Sequence, residues 1–153
     1  MSVEDDFLIL SAELAKQKLS HVWLGFADVL FLEFGSLRQR LGEDGEVGNH
    51  PSGDFTASLN WDWVFNGLEG EEVTFEDDTK AWFPALKTLV GEPLSHLGLV
   101  GSLNELEIVF MDGRKLTTIS GEEVASDFTT WFIIDRRVKG TSGFSCEGGV
   151  LKS

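Results

Sequence analysis

The sequence predicts an α+β fold: a duplicated unit of one helix plus about four antiparallel strands, the two halves forming one pseudo-twofold domain. Three observations point that way. The phrase "KLSHVWLGFADVLFLEF", Lys18 to Phe34, is nearly rewritten as "PLSHLGLVGSLNELEIVF", Pro93 to Phe110. Each copy follows a segment with apolar residues at helical spacing, and each is followed by runs that alternate between apolar and polar residues.

The first element is a helix, in which Phe7, Leu10 and Leu14 fall on one face; Glu4, Asp5 and Asp6 favour its N-terminus through the macrodipole. "LSHVWLG" and "VLFLEFG" then read as a hairpin joined around Gly25 to Asp28. "RQRLGEDGEVGNHPSG", rich in glycine and charge, reads as an exposed, mobile loop. "FTASLNWDWVF" is the clearest strand. Its Phe55, Ala57, Leu59, Trp61, Trp63 and Phe65 share one face, with Thr56, Ser58, Asn60, Asp62 and Val64 on the other. "EEVTFE" closes the first copy.

In the second copy, Asp78 or Thr79 can cap a helix whose stripe is Trp82, Phe83, Leu86, Leu89 and Val90. Pro84 lies in its first turns, and Gly91 and Pro93 end it. "LGLVG" and "ELEIVFMDGRKLTTIS" repeat the hairpin, with a turn at Asp112-Gly113. "FTTWFIIDRRV" and "GFSCEGGVL" complete the copy. Leu14, Leu19, Ser20 and His21 match Leu89, Leu94, Ser95 and His96 without a gap. After one inserted residue, Gly25, Leu30, Leu32 and Phe34 match Gly101, Leu106, Ile108 and Phe110, and "GDFT" at Gly53 to Thr56 is echoed by "SDFT" at Ser126 to Thr129. The expected organisation is therefore a single domain over 1–153 with an internal repeat of 7–76 and 79–151.

A chain of 153 residues with 42% hydrophobic and 25% charged residues has the balance of a globular domain. No apolar run approaches the roughly 20 residues that cross a bilayer, and the acidic "MSVEDDF" is unlike a signal peptide, so a cytoplasmic chain is expected. The single Cys146 reads as an inert thiol late in a strand. Twenty-six acids against 12 bases give a net charge of −14, which argues against nucleic-acid binding and leaves a basic partner protein or plain solubility as its meaning. Positive charge concentrates only at Arg38, Arg40, Arg136, Arg137 and Lys139.

On a regular strand Leu19, His21 and Trp23 share a face, as do Leu94, His96 and Gly98. A twofold would let His21 and His96 meet as an acid/base pair or as two metal ligands; the plainer reading makes them symmetry mates of a recurring strand. His50, in the loop, carries no claim. The acids at Glu69, Glu71, Glu72, Glu76, Asp77 and Asp78, and at Glu43, Asp44 and Glu46, lack the spacing of a calcium loop. They read as a solvated rim or as a docking surface for a basic protein. Trp61 and Trp63, with Trp23 and Phe26 as candidate neighbours, form an aromatic stripe that is core if covered and a ligand groove or interface if open.

No phosphate loop, nucleophile elbow, Cys-His pairing or zinc-protease helix occurs in the sequence, and no cofactor is expected. At "HVWLGFADVLFLEFGSL", with "SLNWDWVF" and "LEIVFMDGRKL", the chain resembles a family of uncharacterised bacterial proteins, a domain of unknown function with a W-x-G…L-F-L-E-F-G strand pattern. The resemblance implies a bacterial, cytosolic monomer or homodimer and supplies no catalytic residue. In its small acidic form the chain also looks like immunity proteins of bacterial toxin systems. The leading expectation is a non-catalytic protein-binding module with His21, His96, Trp23, Trp61 and Trp63 as candidate binding residues. The alternative is a small-molecule or metal-dependent enzyme using His21 and His96, and an oligomerisation domain is a third reading.

Overall fold

A computed structural model describes residues 2–39, 50–60, 62–119, 129–137 and 142–153, without the side chain of residue 27. Trp61, Arg40, Lys139, the acids at 43, 44 and 46, and most of the "SDFT" echo lie outside the described residues.

The first helix, α1 (Val3–Leu14), is capped by Ser2, whose hydroxyl accepts from the Asp5 N–H while the Asp5 carboxylate accepts from the Ser2 N–H. Strands β1 (Leu19–Leu24) and β2 (Leu30–Phe34) follow, joined by a single 3₁₀ turn, Phe26–Asp28. After β3 (Phe55–Leu59), β4 (Trp63–Asn66) and β5 (Glu72–Thr74), the second helix α2 (Thr79–Lys87) begins at the Asp78 cap, whose carboxylate accepts from Lys80 N–H. Then come β6 (Leu94–Val100), β7 (Glu105–Phe110), β8 (Lys115–Thr118), β9 (Thr129–Asp135), β10 (Ser142–Glu147) and β11 (Val150–Lys152).

The fold class differs from the expected α+β duplication. Among the described residues the chain is mostly β, with eleven strands in two antiparallel sheets and two α-helices. One sheet runs β1-β2-β3-β9-β10-β11 and the other β5-β4-β8-β7-β6. Each sheet thus takes strands from both halves of the sequence, so neither half is a self-contained helix-plus-strands unit. The crossing is visible within "FTASLNWDWVF", expected as one strand. Phe55, Ala57, Leu59, Trp63 and Phe65 are all buried on the core side, as the alternation requires, but β3 belongs to the first sheet and β4 to the second. Alternation fixes which way side chains point and says nothing about which neighbour the backbone bonds to. At the crossing, the Asn60 side chain donates to the Thr129 carbonyl at 2.8 Å, and Ile119 N–H donates to the Asp62 carbonyl at 2.8 Å.

Both sheets turn their apolar faces onto one core, which also takes in Phe7, Leu10 and Leu14 of α1 and Trp82 and Leu86 of α2. The helices join the sheets. Phe7 of α1 packs against Trp131 and Phe144 of the first sheet while Ser11 bonds to β6 of the second. Trp82 of α2 meets Trp63 of the second sheet edge-on at 4.8 Å, and α2 also lies against β1.

At both helix-to-strand junctions the backbone turns through a left-handed residue, Lys16 (φ 72°) and Gly91 (φ 97°). The two junctions bond to each other. Lys16 N–H donates to the Leu94 carbonyl and Gly91 N–H to the Leu19 carbonyl, each at 2.7 Å.

Candidate functional site

A bulge decides where the histidines go. The β1–β2 register shifts between Leu19 and His21, and the β6–β7 register shifts between Leu94 and His96. An extra residue in one strand reverses the side-chain alternation beyond it. Leu19 and Leu94 are therefore buried in the core, while His21 and His96 turn out of it, one from each sheet, contrary to the shared face expected of Leu19 with His21 and of Leu94 with His96.

His21 and His96 have separate surroundings. His96 is exposed, with its Nε2 4.0 Å from a Glu107 carboxylate oxygen and its Nδ1 3.4 Å from the Ser95 hydroxyl. His21 Nε2 lies 3.0 Å from Nδ1 of His50. The partner of His21 is thus the histidine assigned no role in the sequence reading. Burial, and after it the neighbouring His50, pushes the His21 imidazole below its ordinary value.

The His50 ring stacks on Trp23 (centroids 4.7 Å, planes 13° apart), and Trp23 stacks on Phe31 (4.1 Å, 10°). These residues occupy the side of the first sheet away from the core, where His21 stands opposite Glu33 and Trp23 opposite Phe31. Beneath the stack, Glu33 is 1% exposed and its carboxylate is met by donors. Its Oε2 accepts the Trp23 indole N–H at 2.8 Å, and its Oε1 accepts the Gly53 N–H at 3.0 Å and the Thr56 hydroxyl. Arg136 Nη1 lies 3.9 Å from the same oxygen and donates to Thr56 Oγ1. A buried carboxylate is tolerable only when paired and bonded in this way. Residues 50–53, expected within a free loop, are fixed here: Ser52 and Arg38 exchange backbone bonds at 2.7 and 2.8 Å. At Gly53 a side chain would run into the Phe34 backbone, so the close approach requires glycine.

Trp63 does not join Trp23. It is buried in the core against Trp82, and so belongs to packing rather than to an open aromatic stripe.

The acids resolve into a different feature. Glu69, Glu71, Glu72, Glu76, Asp77 and Asp78 are all exposed along the β4–β5 turn and the start of α2. Several also order the local backbone: Asp77 accepts from Thr74 N–H at 2.8 Å and Glu71 from Glu69 N–H at 3.1 Å. Beside them, between β4, β5 and α2, runs a groove of about 460 Å³. Phe65, Leu68, Val73 and Ala85 give it apolar walls, and Glu69 and Glu71 its rim. Arg114, at its end, is neutralised by Asp112 at 2.7 Å and donates to Thr88 Oγ1, so the rim keeps its negative charge. Leu68 stands 63% exposed at its lip. The composition of "FNGLEGEEVTFEDD" held this signal, apolar residues interleaved with acids, but only the docking of α2 alongside gives it walls.

Among the described residues no three His, Cys, Asp or Glu side chains converge on one point, and no helix is long and apolar enough to cross a membrane. Comparison with protein-family models, with curated proteins and with solved structures gives no match. Residue roles here rest on geometry alone.

Proposed function

We propose that the chain is a protein-binding module whose partner lays a basic, partly apolar segment into the groove between β4, β5 and α2. The observation that carries this reading is the pairing, in one groove, of an apolar lining from Phe65, Leu68 and Val73 with a rim of exposed carboxylates. Apolar contact supplies affinity, while an acidic rim on a chain of net charge −14 steers and selects a cationic partner. A Lys or Arg side chain suits such a rim because its methylene stem covers apolar surface while its head reaches a carboxylate. No residue in the groove is assigned a chemical step.

The test is fluorescence anisotropy with two labelled peptides, one alternating Lys and Leu and one alternating Glu and Leu. The basic peptide should bind, more weakly as salt rises, and the double variant Glu69→Lys/Glu71→Lys should lose about tenfold or more in affinity, since reversed charges repel. Leu68→Asp should weaken binding as well. Equal binding of both peptides, or full affinity in the charge-reversed variant, would overturn the proposal.

A further inference from the structure

We propose that His21 and His50 form a binding site for a late first-row divalent cation, with Zn²⁺ the ion of choice for testing it. The inference is independent of the groove and of any partner. Two imidazole nitrogens, His21 Nε2 and His50 Nδ1, face each other 3.0 Å apart with ring centroids 5.2 Å apart. Two imidazoles on one tetrahedral ion, each at 2.0–2.1 Å, hold their nitrogens about 3.3–3.4 Å apart. Admitting the ion therefore takes a rocking of the rings by a few tenths of an ångström.

The pair is also held for the purpose. His21 stands on a strand just past a bulge that aims it outward. His50 is pressed on Trp23, which is held from its other side by Phe31 and at its indole N–H by Glu33. Ligands braced by such packing and hydrogen bonds lose little freedom when they bind, which is what makes a two-residue site effective. Without metal, one ring donates N–H to the other. With metal, both facing nitrogens are lone pairs, so His21 carries its proton on Nδ1 and His50 on Nε2; the proton between the rings passes to the outer nitrogen of the donor ring by exchange with solvent, and the neutral pair releases no net proton. No third ligand converges among the described residues, so water fills the remaining positions and the site favours ions that prize imidazole, Zn²⁺, Ni²⁺ and Cu²⁺, over Mg²⁺ and Ca²⁺.

The full chain should be titrated with Zn²⁺ by calorimetry and, in parallel, by NMR of the imidazole protons. The expected result is one ion per chain, both histidines shifting together, affinity falling from pH 8 to pH 6, and a tenfold or greater loss in His21→Ala and in His50→Ala. His96→Ala, altered away from the pair, should bind like the parent. His21→Gln serves as a gentler variant should an alanine variant unfold; it too should lose the ion. Three results would each overturn the site: no binding by the parent chain, undiminished binding in His21→Gln and His50→Ala, which would place the ion on the acidic surface, or an equal loss in His96→Ala.

Discussion

At the scale of single residues, Glu33 does the most to shape the outer face of the first sheet. It is buried, and it ties the Trp23 indole, the Gly53 backbone and the Thr56 hydroxyl to Arg136. Glu33→Ala would remove the buried acceptor those donors share, and should cost about 3 kcal/mol or more in urea unfolding. Glu33→Gln, which keeps one carbonyl acceptor, should cost less. Asp135 gives the pH dependence. Hydrogen bonds from Arg137, at 2.9 and 3.1 Å, hold its carboxyl below the usual 3.8. A depressed carboxyl contributes stability that is fully present above the unfolded value and is lost as pH falls through the folded one. The parent chain should therefore lose stability below about pH 4 more steeply than Asp135→Asn, measured as melting temperature against pH. Cys146 is buried and its thiol is pushed up by that burial. It should react with a thiol reagent only under denaturing conditions.

At the scale of elements, the ends of the second sheet are guarded by side chains. On β6, the Ser11 hydroxyl of α1 donates to the Leu97 carbonyl at 2.9 Å and accepts from the Leu97 N–H at 3.3 Å, occupying both backbone groups of that residue. On β5, Asp77 accepts from Thr74 N–H with its side chain and donates its own N–H to the Thr74 carbonyl at 3.0 Å. Both devices close sites where another strand could add. Ser11→Ala should therefore destabilise by about 1–3 kcal/mol, because two buried groups lose their partner at once. It should also speed hydrogen exchange at the Leu97 amide well beyond that at the amides of β7. Unchanged exchange at Leu97 would show that Ser11 only fills space.

At the scale of the whole molecule, the division of each half between two sheets has a consequence for folding. Strands β3 and β9 pair along their length, as do β4 and β8, although each pair joins distant parts of the chain. A fragment of residues 1–77 keeps β2 beside β3 and β5 beside β4 but lacks β9 and β8, which pair with their other edges, and should show no cooperative unfolding transition. The intact chain should unfold in one step, followed by tryptophan fluorescence and circular dichroism together. A folded, cooperative fragment would contradict the shared core.

The sequence by itself determined much of the local structure. Acids and caps placed both helices, Asp112-Gly113 placed a turn, and alternation chose Phe55, Ala57, Leu59, Trp63 and Phe65 as inward residues. It also carried the acidic character of the β4–β5 turn. These follow from forces that act within a few residues: macrodipoles, turn dihedrals and the two-residue period of a strand. Tertiary structure decided the rest. Hydrogen-bond partners across a sheet leave no periodic mark, so the exchange of strands, and with it the mostly β class, could not be read from spacing. A bulge is one residue of register, and it turned His21 and His96 away from the core; a returning segment, not a strand repeat, then gave His21 its neighbour in His50. What looked like a pair in the repeated phrase became two surface histidines. The close pair formed instead with a residue distant in sequence, because packing against Trp23 rather than local pattern fixes its ring.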